Sequence, residues 1–112
     1  MLTNWAPLAS AVSLLSHLRS RPLPALYVRK EAKDHGTAKL IDGNLSQGAS
    51  VAILEDVTTT GGSALMAADA VRAFGASVVQ VIAIVDRLEG AAAAFRAYDL
   101  PFAAVFTRDD FL

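Results

Sequence analysis

The sequence predicts an α/β fold in which a mainly parallel sheet is flanked by helices. Apolar runs at residues 51–54 and 78–85, the second interrupted only by Gln80, are typical of strands that are buried on both faces. Between them, residues 63–74 carry apolar side chains at helical spacing. Strands that alternate with helices in this way usually form a parallel sheet. With 112 residues and no linker or internal repeat, the chain is expected to be a single domain over residues 1–112.

The first predicted helix spans residues 7–18, since Pro7 suits the first position of a helix. Its predicted core face consists of apolar residues at helical spacing: Leu8, Val12, Leu15 and Leu18. A break at residues 19–24 is followed by a short buried strand at residues 25–28. Residues 29–50 are polar and are expected to form mostly an exposed loop, with room for a short strand at residues 39–41.

The second half contains the clearest elements. The helix at residues 63–74 has Ser63 as its expected N-cap and Gly75 at the position of a C-terminal glycine. Its predicted core face is formed by five residues: Ala64, Ala67, Ala68, Val71 and Phe74. The strand at residues 78–85 follows, and then an alanine-rich helix at residues 89–98 and a last strand at residues 102–106.

Composition excludes several classes of function. The net charge is −1, so nothing in the whole-chain charge indicates a nucleic-acid or membrane partner. The chain has no cysteine, which excludes disulfides and cysteine-ligated metal sites and fits a reducing cytoplasm. Residues 6–18 are too short and too polar for a membrane span.

Residues 51–63 (VAILEDVTTTGGS) predict a strand, a turn and the start of a helix, which together form a phosphate cradle. A helix N-terminus presents unpaired N–H groups and a positive dipole end to an anion. Gly61 and Gly62 allow a close backbone approach, and hydroxyl donors surround them at Thr58, Thr59, Thr60 and Ser63. The alternative interpretation is an ordinary polar turn before a capped helix. A Walker A loop is excluded because no lysine follows the glycines, and the dinucleotide fingerprint spacing is missing.

Two acids, Glu55 and Asp56, precede this turn. Carboxylates repel a phosphate, so we expect them to face hydroxyl groups or a cation. They are suited to accept hydrogen bonds from a vicinal ribose diol, or to help hold a hydrated Mg²⁺. The cradle is therefore predicted to bind a ribose 5-phosphate group.

A basic loop is the second dense group of functional residues. Residues 29–39 contain four Lys or Arg residues, two acids and His35. Such a loop is often only a solvated surface segment. In a chain with a phosphate cradle, it is also suited to close over the anion and neutralise the charge of a leaving group.

Together, VRKEAKDHGT and EDVTTTGGS resemble the orotate phosphoribosyltransferases, which belong to the wider type I phosphoribosyltransferase family. A third segment, DRLEG at residues 86–90, is similar to the family segment whose arginine contacts orotate. The resemblance runs from Pro7 to the C-terminus. It implies transfer of phosphoribosyl from phosphoribosyl pyrophosphate to orotate with Mg²⁺, in UMP biosynthesis, by a cytoplasmic homodimer that shares the basic loop between subunits.

The resemblance also implies a role for each matched residue. Glu55 and Asp56 would hold the ribose hydroxyls, residues 59–63 the 5-phosphate, and Thr59 and Arg87 the orotate. The phosphoribosyl-pyrophosphate site as a whole takes in the following residues: Arg29, Lys30, Lys33, His35, Glu55, Asp56, Val57, Thr58, Thr59, Thr60, Gly61, Gly62 and Ser63. No protein side chain is implied as a direct metal ligand, because Mg²⁺ would be held mainly through the substrate.

Cleavage of the bond to pyrophosphate creates a cationic ribose and a highly charged leaving group, so positioning and charge stabilisation suffice for catalysis. The catalytic candidates are Lys33, His35 and Asp56. Lys33 and His35 are suited to stabilise or protonate the departing pyrophosphate. A second function remains open, namely a non-catalytic regulator that senses phosphoribosyl pyrophosphate, or an inactive fragment of the enzyme.

Members of the family are longer at the N-terminus, where they carry a hood over the base, a lysine-bearing loop and a core strand with a glycine turn. None of these is recognisable before Pro7, so the resemblance predicts a domain without its first core strand. The strands at residues 25–28 and 51–54 would then pair directly or leave a gap with unpaired backbone groups. Such a chain is expected to be weakly active or inactive by itself.

Overall fold

The computed structural model describes residues 2–4, 6–28, 41–42 and 44–111. In order, their elements are β1 (Leu2–Asn4), α1 (Ala6–Leu18), β2 (Tyr27–Val28), β3 (Ile41–Asp42), β4 (Ser50–Thr58), α2 (Gly62–Phe74), β5 (Ser77–Asp86), α3 (Ala91–Ala97) and β6 (Phe102–Thr107). A short 3-10 helix, Arg108–Phe111, follows β6. No helix in this part of the chain is long and apolar enough to cross a membrane.

The main sheet has the strand order β1-β4-β5-β6, and each neighbouring pair is parallel. Helix α2 connects β4 to β5, and α3 connects β5 to β6. Crossover helices are what parallel neighbours require, because a hairpin cannot join two parallel strands. The predicted α/β fold with a mainly parallel sheet is thus confirmed.

The larger core lies between the sheet and helices α2 and α3. Its largest fully buried side chains are Phe95, Ile53, Val51, Val71 and Val81. The inward face of α2 is built from small residues, since Ala64, Ala67 and Ala68 are at most 1% exposed. Small side chains let the helix approach the sheet closely, and the predicted face is confirmed except for Phe74, which is 43% exposed.

Helix α1 covers the opposite face of the sheet through a smaller cluster centred on Ala9 and Leu54. Leu8 and Val12 pack against this cluster, as the sequence predicted, but Leu15 and Leu18 are 54% and 69% exposed. The predicted face is wrong at these two positions because the contact centres on Ala9 and does not follow the helix to its end.

The segment after α1, residues 19–24, packs back against the helix through hydrogen bonds to two serines. Ser13 Oγ donates a hydrogen bond to the Leu23 carbonyl at 2.6 Å. The Leu23 amide donates to Ser16 Oγ at 2.8 Å. These bonds satisfy backbone groups at a place where Pro22 and Pro24 prevent regular structure.

The expectation that no strand precedes Pro7 is wrong. Leu2–Asn4 pairs in parallel with β4, with Leu2 opposite Ala52 and Asn4 opposite Leu54. Strand pairing uses backbone groups, so even a short segment without a strand-like side-chain pattern can cover the edge of β4.

The strands at residues 25–28 and 51–54, which were expected either to pair directly or to leave a gap, belong to different sheets. Strand β2 pairs in antiparallel fashion with β3, with Tyr27 opposite Asp42 and Val28 opposite Ile41. These two strands form a separate two-stranded sheet. The predicted alternatives of direct pairing or an open gap are both replaced by this arrangement, in which β1 borders β4.

A bulge interrupts the pairing of β4 with β5 near their start. Val51 lies opposite Val78, but Ala52 lies opposite Gln80, so Val79 is an extra residue in β5. Its side chain is 50% exposed. Beyond the bulge the register continues to the end of both strands, where Thr58 lies opposite Asp86.

Candidate anion-binding site

Strand β4 extends through Thr58, four residues beyond the predicted end at residue 54. Glu55 and Asp56 thus belong to the strand and do not begin the turn. Pairing with β5 continues across them, with Glu55 opposite Ala83 and Val57 opposite Val85. Polar residues in a strand interior look like a loop in the sequence, which is why the prediction ended the strand too early.

The two acids point to opposite faces of the sheet, since side chains alternate along a strand. Glu55 follows Val51 and Ile53 on the face covered by α2, and it is only 7% exposed. Asp56 follows Leu54 on the α1 face, where its Oδ1 accepts a hydrogen bond from the Val57 amide at 2.7 Å. The two carboxylates therefore approach the strand end from two sides.

The turn after β4 is shaped by Gly61, which is the N-cap of α2 and has a φ of 90°. The predicted N-cap, Ser63, instead lies in the first turn of the helix. Gly61 leaves that turn without a side-chain cap, and its carbonyl accepts the Leu65 amide at 3.0 Å. A glycine cap leaves the helix N-terminus open to a ligand, which suits an anion site.

Gly61 also packs directly on an aromatic ring of α3. A Cβ added at this position would lie 3.0 Å and 3.1 Å from two carbon atoms of the Phe95 ring. Phe95 is fully buried, and its ring centroid is 4.9 Å from that of Phe102. The shape of the turn thus depends on a helix that comes about thirty residues later in the chain. Phe95 was not among the residues predicted from the sequence, because nothing in the alanine-rich segment around it indicates a contact with Gly61.

The hydroxyl groups of the turn differ in accessibility. Thr58 is 4% exposed and still within β4, so it is not on the surface of the turn. Thr59 is half-buried, whereas Thr60 and Ser63 are exposed. The accessible donors of the cradle are therefore Thr59, Thr60 and Ser63.

A second turn, residues 87–90, lies beside the cradle. The Arg87 amide donates a hydrogen bond to the Thr58 carbonyl at 3.0 Å, which joins the ends of β4 and β5. The Arg87 side chain is 57% exposed, and its Nε lies 3.2 Å from Oε2 of Glu89. An exposed ion pair of this kind is weak, so the guanidinium is available to another carboxylate. The structure thus places Arg87 next to the predicted phosphate turn.

Asp86 is a buried acid at the same edge of the sheet, and it was not among the site residues predicted from the sequence. It is 5% exposed and lies in register between Thr58 of β4 and Thr107 of β6. Its Oδ1 accepts the Leu88 amide at 2.9 Å. In the next strand the Thr107 amide donates to Asp110 Oδ2 at 2.7 Å. The signal in the sequence was an aspartate directly after an apolar strand, a position where aspartate often closes a turn.

The four predicted residues of the basic loop, Arg29, Lys30, Lys33 and His35, lie outside the described residues. Within the described ranges, no group of three or more acidic, histidine or cysteine side chains is placed to hold a metal ion. A cavity of about 580 Å³ lies between α3 and the start of β6, and it contains none of the predicted site residues.

No protein-family model matches the chain. Among curated proteins, it is 65% identical over 108 residues to the orotate phosphoribosyltransferase of Sorangium cellulosum, which covers 95% of this chain and 56% of the relative. It is 52% identical over 102 residues to the orotate phosphoribosyltransferase of Nostoc, which covers 90% of this chain and 50% of that protein. The chain thus spans about half the length of the curated relatives that it matches.

The chain is also similar to solved structures of an orotate phosphoribosyltransferase. The crystal structure of Mycobacterium tuberculosis orotate phosphoribosyltransferase with Fe(III) dicitrate matches with a TM-score of 0.84 and 40% identity, covering 97% of this chain and 63% of that one. The same enzyme in complex with 5-phospho-alpha-D-ribosyl 1-diphosphate matches with a TM-score of 0.82 and 37% identity, at the same coverage.

Proposed function

Because the chain belongs to the orotate phosphoribosyltransferase family over its matched residues, we propose that it binds phosphoribosyl pyrophosphate and transfers the phosphoribosyl group to orotate. The products are orotidine 5′-phosphate and pyrophosphate, as in UMP biosynthesis. The observation that carries the proposal is the 3.0 Å hydrogen bond between the Arg87 amide and the Thr58 carbonyl. It brings the turn suited to a carboxylate-bearing base next to the turn suited to a phosphate.

The 5-phosphate binds at residues 59–63 in this proposal. The uncapped start of α2 offers backbone N–H groups, and Gly61 keeps the backbone close to the ligand. Thr60 and Ser63 add exposed hydroxyls, and Val57 and Thr58 position the turn from the end of β4.

The ribose binds at the end of β4, where Glu55 and Asp56 approach from opposite faces of the strand. Each carboxylate is suited to accept a hydrogen bond from one ribose hydroxyl. In this role Asp56 also favours the positive charge that develops on the sugar as the bond to pyrophosphate breaks.

Orotate binds beside Arg87, with Thr59 as a second contact. A guanidinium matches a planar carboxylate with two parallel hydrogen bonds. Arg87 would exchange its exposed pairing with Glu89 for the substrate at little cost, since such surface pairs contribute only about 0–1 kcal/mol.

The leaving pyrophosphate is met by the basic loop through Arg29, Lys30, Lys33 and His35. Their positive charges compensate the charge that grows on the leaving oxygen, and Lys33 or His35 donates a proton to it. Mg²⁺, when bound, supplies further charge neutralisation on the substrate's phosphate oxygens. It would be held mainly by the substrate, and Glu55 and Asp56 are suited to help hold its hydration shell. We also propose that the chain acts in the cytoplasm as a homodimer that shares the basic loop.

Calorimetry and turnover measurements test the proposal on the 112-residue chain. We expect phosphoribosyl pyrophosphate to bind with Mg²⁺, and orotate to bind after it. Pyrophosphate release should be far below the turnover of about 10 per second that is typical of enzymes. Absence of phosphoribosyl pyrophosphate binding by a folded chain would refute the proposed site.

Two variants distinguish the transferase from a regulator that only senses phosphoribosyl pyrophosphate. Arg87→Ala should abolish orotate binding and leave phosphoribosyl pyrophosphate binding intact. The matched control is Arg108→Ala, which removes an exposed arginine after β6 and should change neither. If the unaltered chain binds phosphoribosyl pyrophosphate but never orotate, the regulator is the better description.

A further inference from the structure

The backbone around Leu88 has a conformation that leucine rarely adopts. Its φ is 60°, in the left-handed region, and its side chain is 42% exposed. A non-glycine residue keeps such a conformation only when its surroundings impose it. Side-chain packing of an exposed leucine imposes little, so a nearby polar group must hold this turn.

Asp86 is that group. Its Oδ1 accepts the hydrogen bond of the Leu88 amide at 2.9 Å, and its side chain is 5% exposed. A hydrogen bond to a carboxylate in a shielded place is stronger than one between neutral groups. The residue between these two partners is Arg87, so the same bond constrains the backbone from which the Arg87 side chain projects.

Asp86 is itself fixed from both sides by the sheet. It lies in register with Thr58 of β4 and with Thr107 of β6. The Arg87 amide is bound by the Thr58 carbonyl at 3.0 Å. The turn is thus attached to the phosphate strand at Arg87 and to the end of β5 at Leu88.

We propose that Asp86 is a positioning residue that holds the Arg87 turn in the conformation that presents the guanidinium to the carboxylate of the base. Asp86 acts through the backbone and does not touch the substrate. This inference rests on the proposed function for the identity of the base, whereas the bond from the Leu88 amide to Asp86 can be tested separately.

The first test needs no ligand. Amide hydrogen exchange measured by NMR should be about tenfold faster or more at Leu88 in Asp86→Ala than in the unaltered chain. Asp86→Asn keeps a side-chain oxygen of the same reach and should stay within about threefold of the unaltered chain. Equal exchange at Leu88 in Asp86→Ala and in the unaltered chain would overturn the inference.

Asp110→Ala is the matched control, since it removes a similar carboxylate–amide bond from the end of the neighbouring strand. It should speed exchange at Thr107 and leave Leu88 unchanged. Faster exchange at Leu88 in this control would mean that any loosening of the sheet edge has the same effect, which would count against Asp86. If Asp86→Ala does not fold, Asp86→Glu takes its place, because its extra methylene displaces the carboxylate while keeping the charge.

The second test uses calorimetry with phosphoribosyl pyrophosphate and then orotate. Asp86→Ala should weaken orotate binding about tenfold or more, and Asp86→Asn should restore it. The affinity for phosphoribosyl pyrophosphate should be the same in all variants. A general loss of structure would weaken this binding too, so an unchanged affinity excludes it as the cause. Unaltered orotate binding in Asp86→Ala would refute the positioning role. If even the unaltered chain binds no phosphoribosyl pyrophosphate, the proposed function fails, and the exchange rates alone decide whether Asp86 holds the turn.

Discussion

At the scale of single residues, the cradle depends on a position where only glycine fits. Gly61 combines a φ of 90° with a ring 3.0 Å from the place of its missing Cβ. In the sequence, the glycine pair in TTTGGS predicts a close approach of the backbone to a bound anion. The structure adds that Gly61 is equally constrained from the protein side.

Gly61→Ala should lower the free energy of unfolding by about 2–5 kcal/mol. Left-handed backbone costs an L-residue about 1–2 kcal/mol, and overpacking adds about 1–3 kcal/mol. Chemical denaturation measures this loss, and calorimetry should show weaker phosphoribosyl pyrophosphate binding as the turn moves away from Phe95.

Gly48→Ala is the control for Gly61→Ala. Gly48 has a φ of 81°, but no atom lies within 4 Å of the place where its Cβ would be. Only the backbone term applies there, so a loss of about 1–2 kcal/mol is expected. If both variants lose equal stability, the contact with Phe95 contributes nothing at Gly61.

At the scale of elements, α3 supports a turn that belongs to α2. It is a helix of seven residues with two buried side chains, Ala91 and Phe95. Both come close to Gly61, since the Ala91 Cα lies 3.5 Å from the place of its Cβ. Phe95 of α3 thus contacts both Phe102 of β6 and the turn at Gly61, so it links the packing of β6 to the candidate phosphate site.

Phe95→Ala should destabilise the chain by about 3–5 kcal/mol, because it leaves a large cavity in the main core. Phe95→Leu retains most of the volume and is expected to cost less while still weakening phosphoribosyl pyrophosphate binding, since the flat ring under Gly61 is lost. Thermal unfolding and calorimetry measure the two effects separately. Full binding by a folded Phe95→Leu variant would contradict the role assigned to the ring.

The matched control for Phe95 is Phe74→Ala at the end of α2, where the ring is 43% exposed. Substitutions of exposed side chains usually change stability by no more than about 0.5 kcal/mol. Phe74→Ala should accordingly leave phosphoribosyl pyrophosphate binding unchanged.

How well each element could be predicted depended on whether local or distant contacts define it. The α2 stripe of Ala64, Ala67 and Ala68 follows from spacing along one helix and was visible in the sequence. The continuation of β4 through Glu55 and Asp56 depends on pairing with β5, which leaves no local mark. The seat of Gly61 on Phe95 depends on packing between distant segments, so no pattern around either residue could reveal it.

At the scale of the whole molecule, the sheet is covered unevenly. Helices α2 and α3 cover one face, whereas α1 covers the other face near β1 and β4. On this second face, Ile84 of β5 lies beside Val105 of β6. The pairs on either side of them, Ala83 with Ala104 and Val85 with Phe106, are in register. The side chains of Ile84 and Val105 are 36% and 63% exposed, so the described chain presents apolar surface there.

Val105→Lys should lower the fluorescence of an apolar dye bound to the folded chain and should raise its solubility. Exposed apolar patches bind such dyes and promote association. Stability should change by no more than about 0.5 kcal/mol, as for most exposed positions. Ala73→Lys adds the same charge to the exposed side of α2 and should leave dye binding unchanged; an equal decrease would show that charge alone is responsible.

The bulge at Val79 has a consequence for the chemistry at the far end of the sheet. Six residues lie between Val79 and Asp86, and the extra residue in the bulge decides which face of the sheet each of their side chains takes. With continuous pairing from Val51 onward, Thr58 would lie opposite Val85, and Asp86 would project past the rim on the other side of the strand. The one extra residue near the start of β5 therefore sets the register at its far end. It determines that Asp86, and not Val85, lies opposite Thr58 of β4.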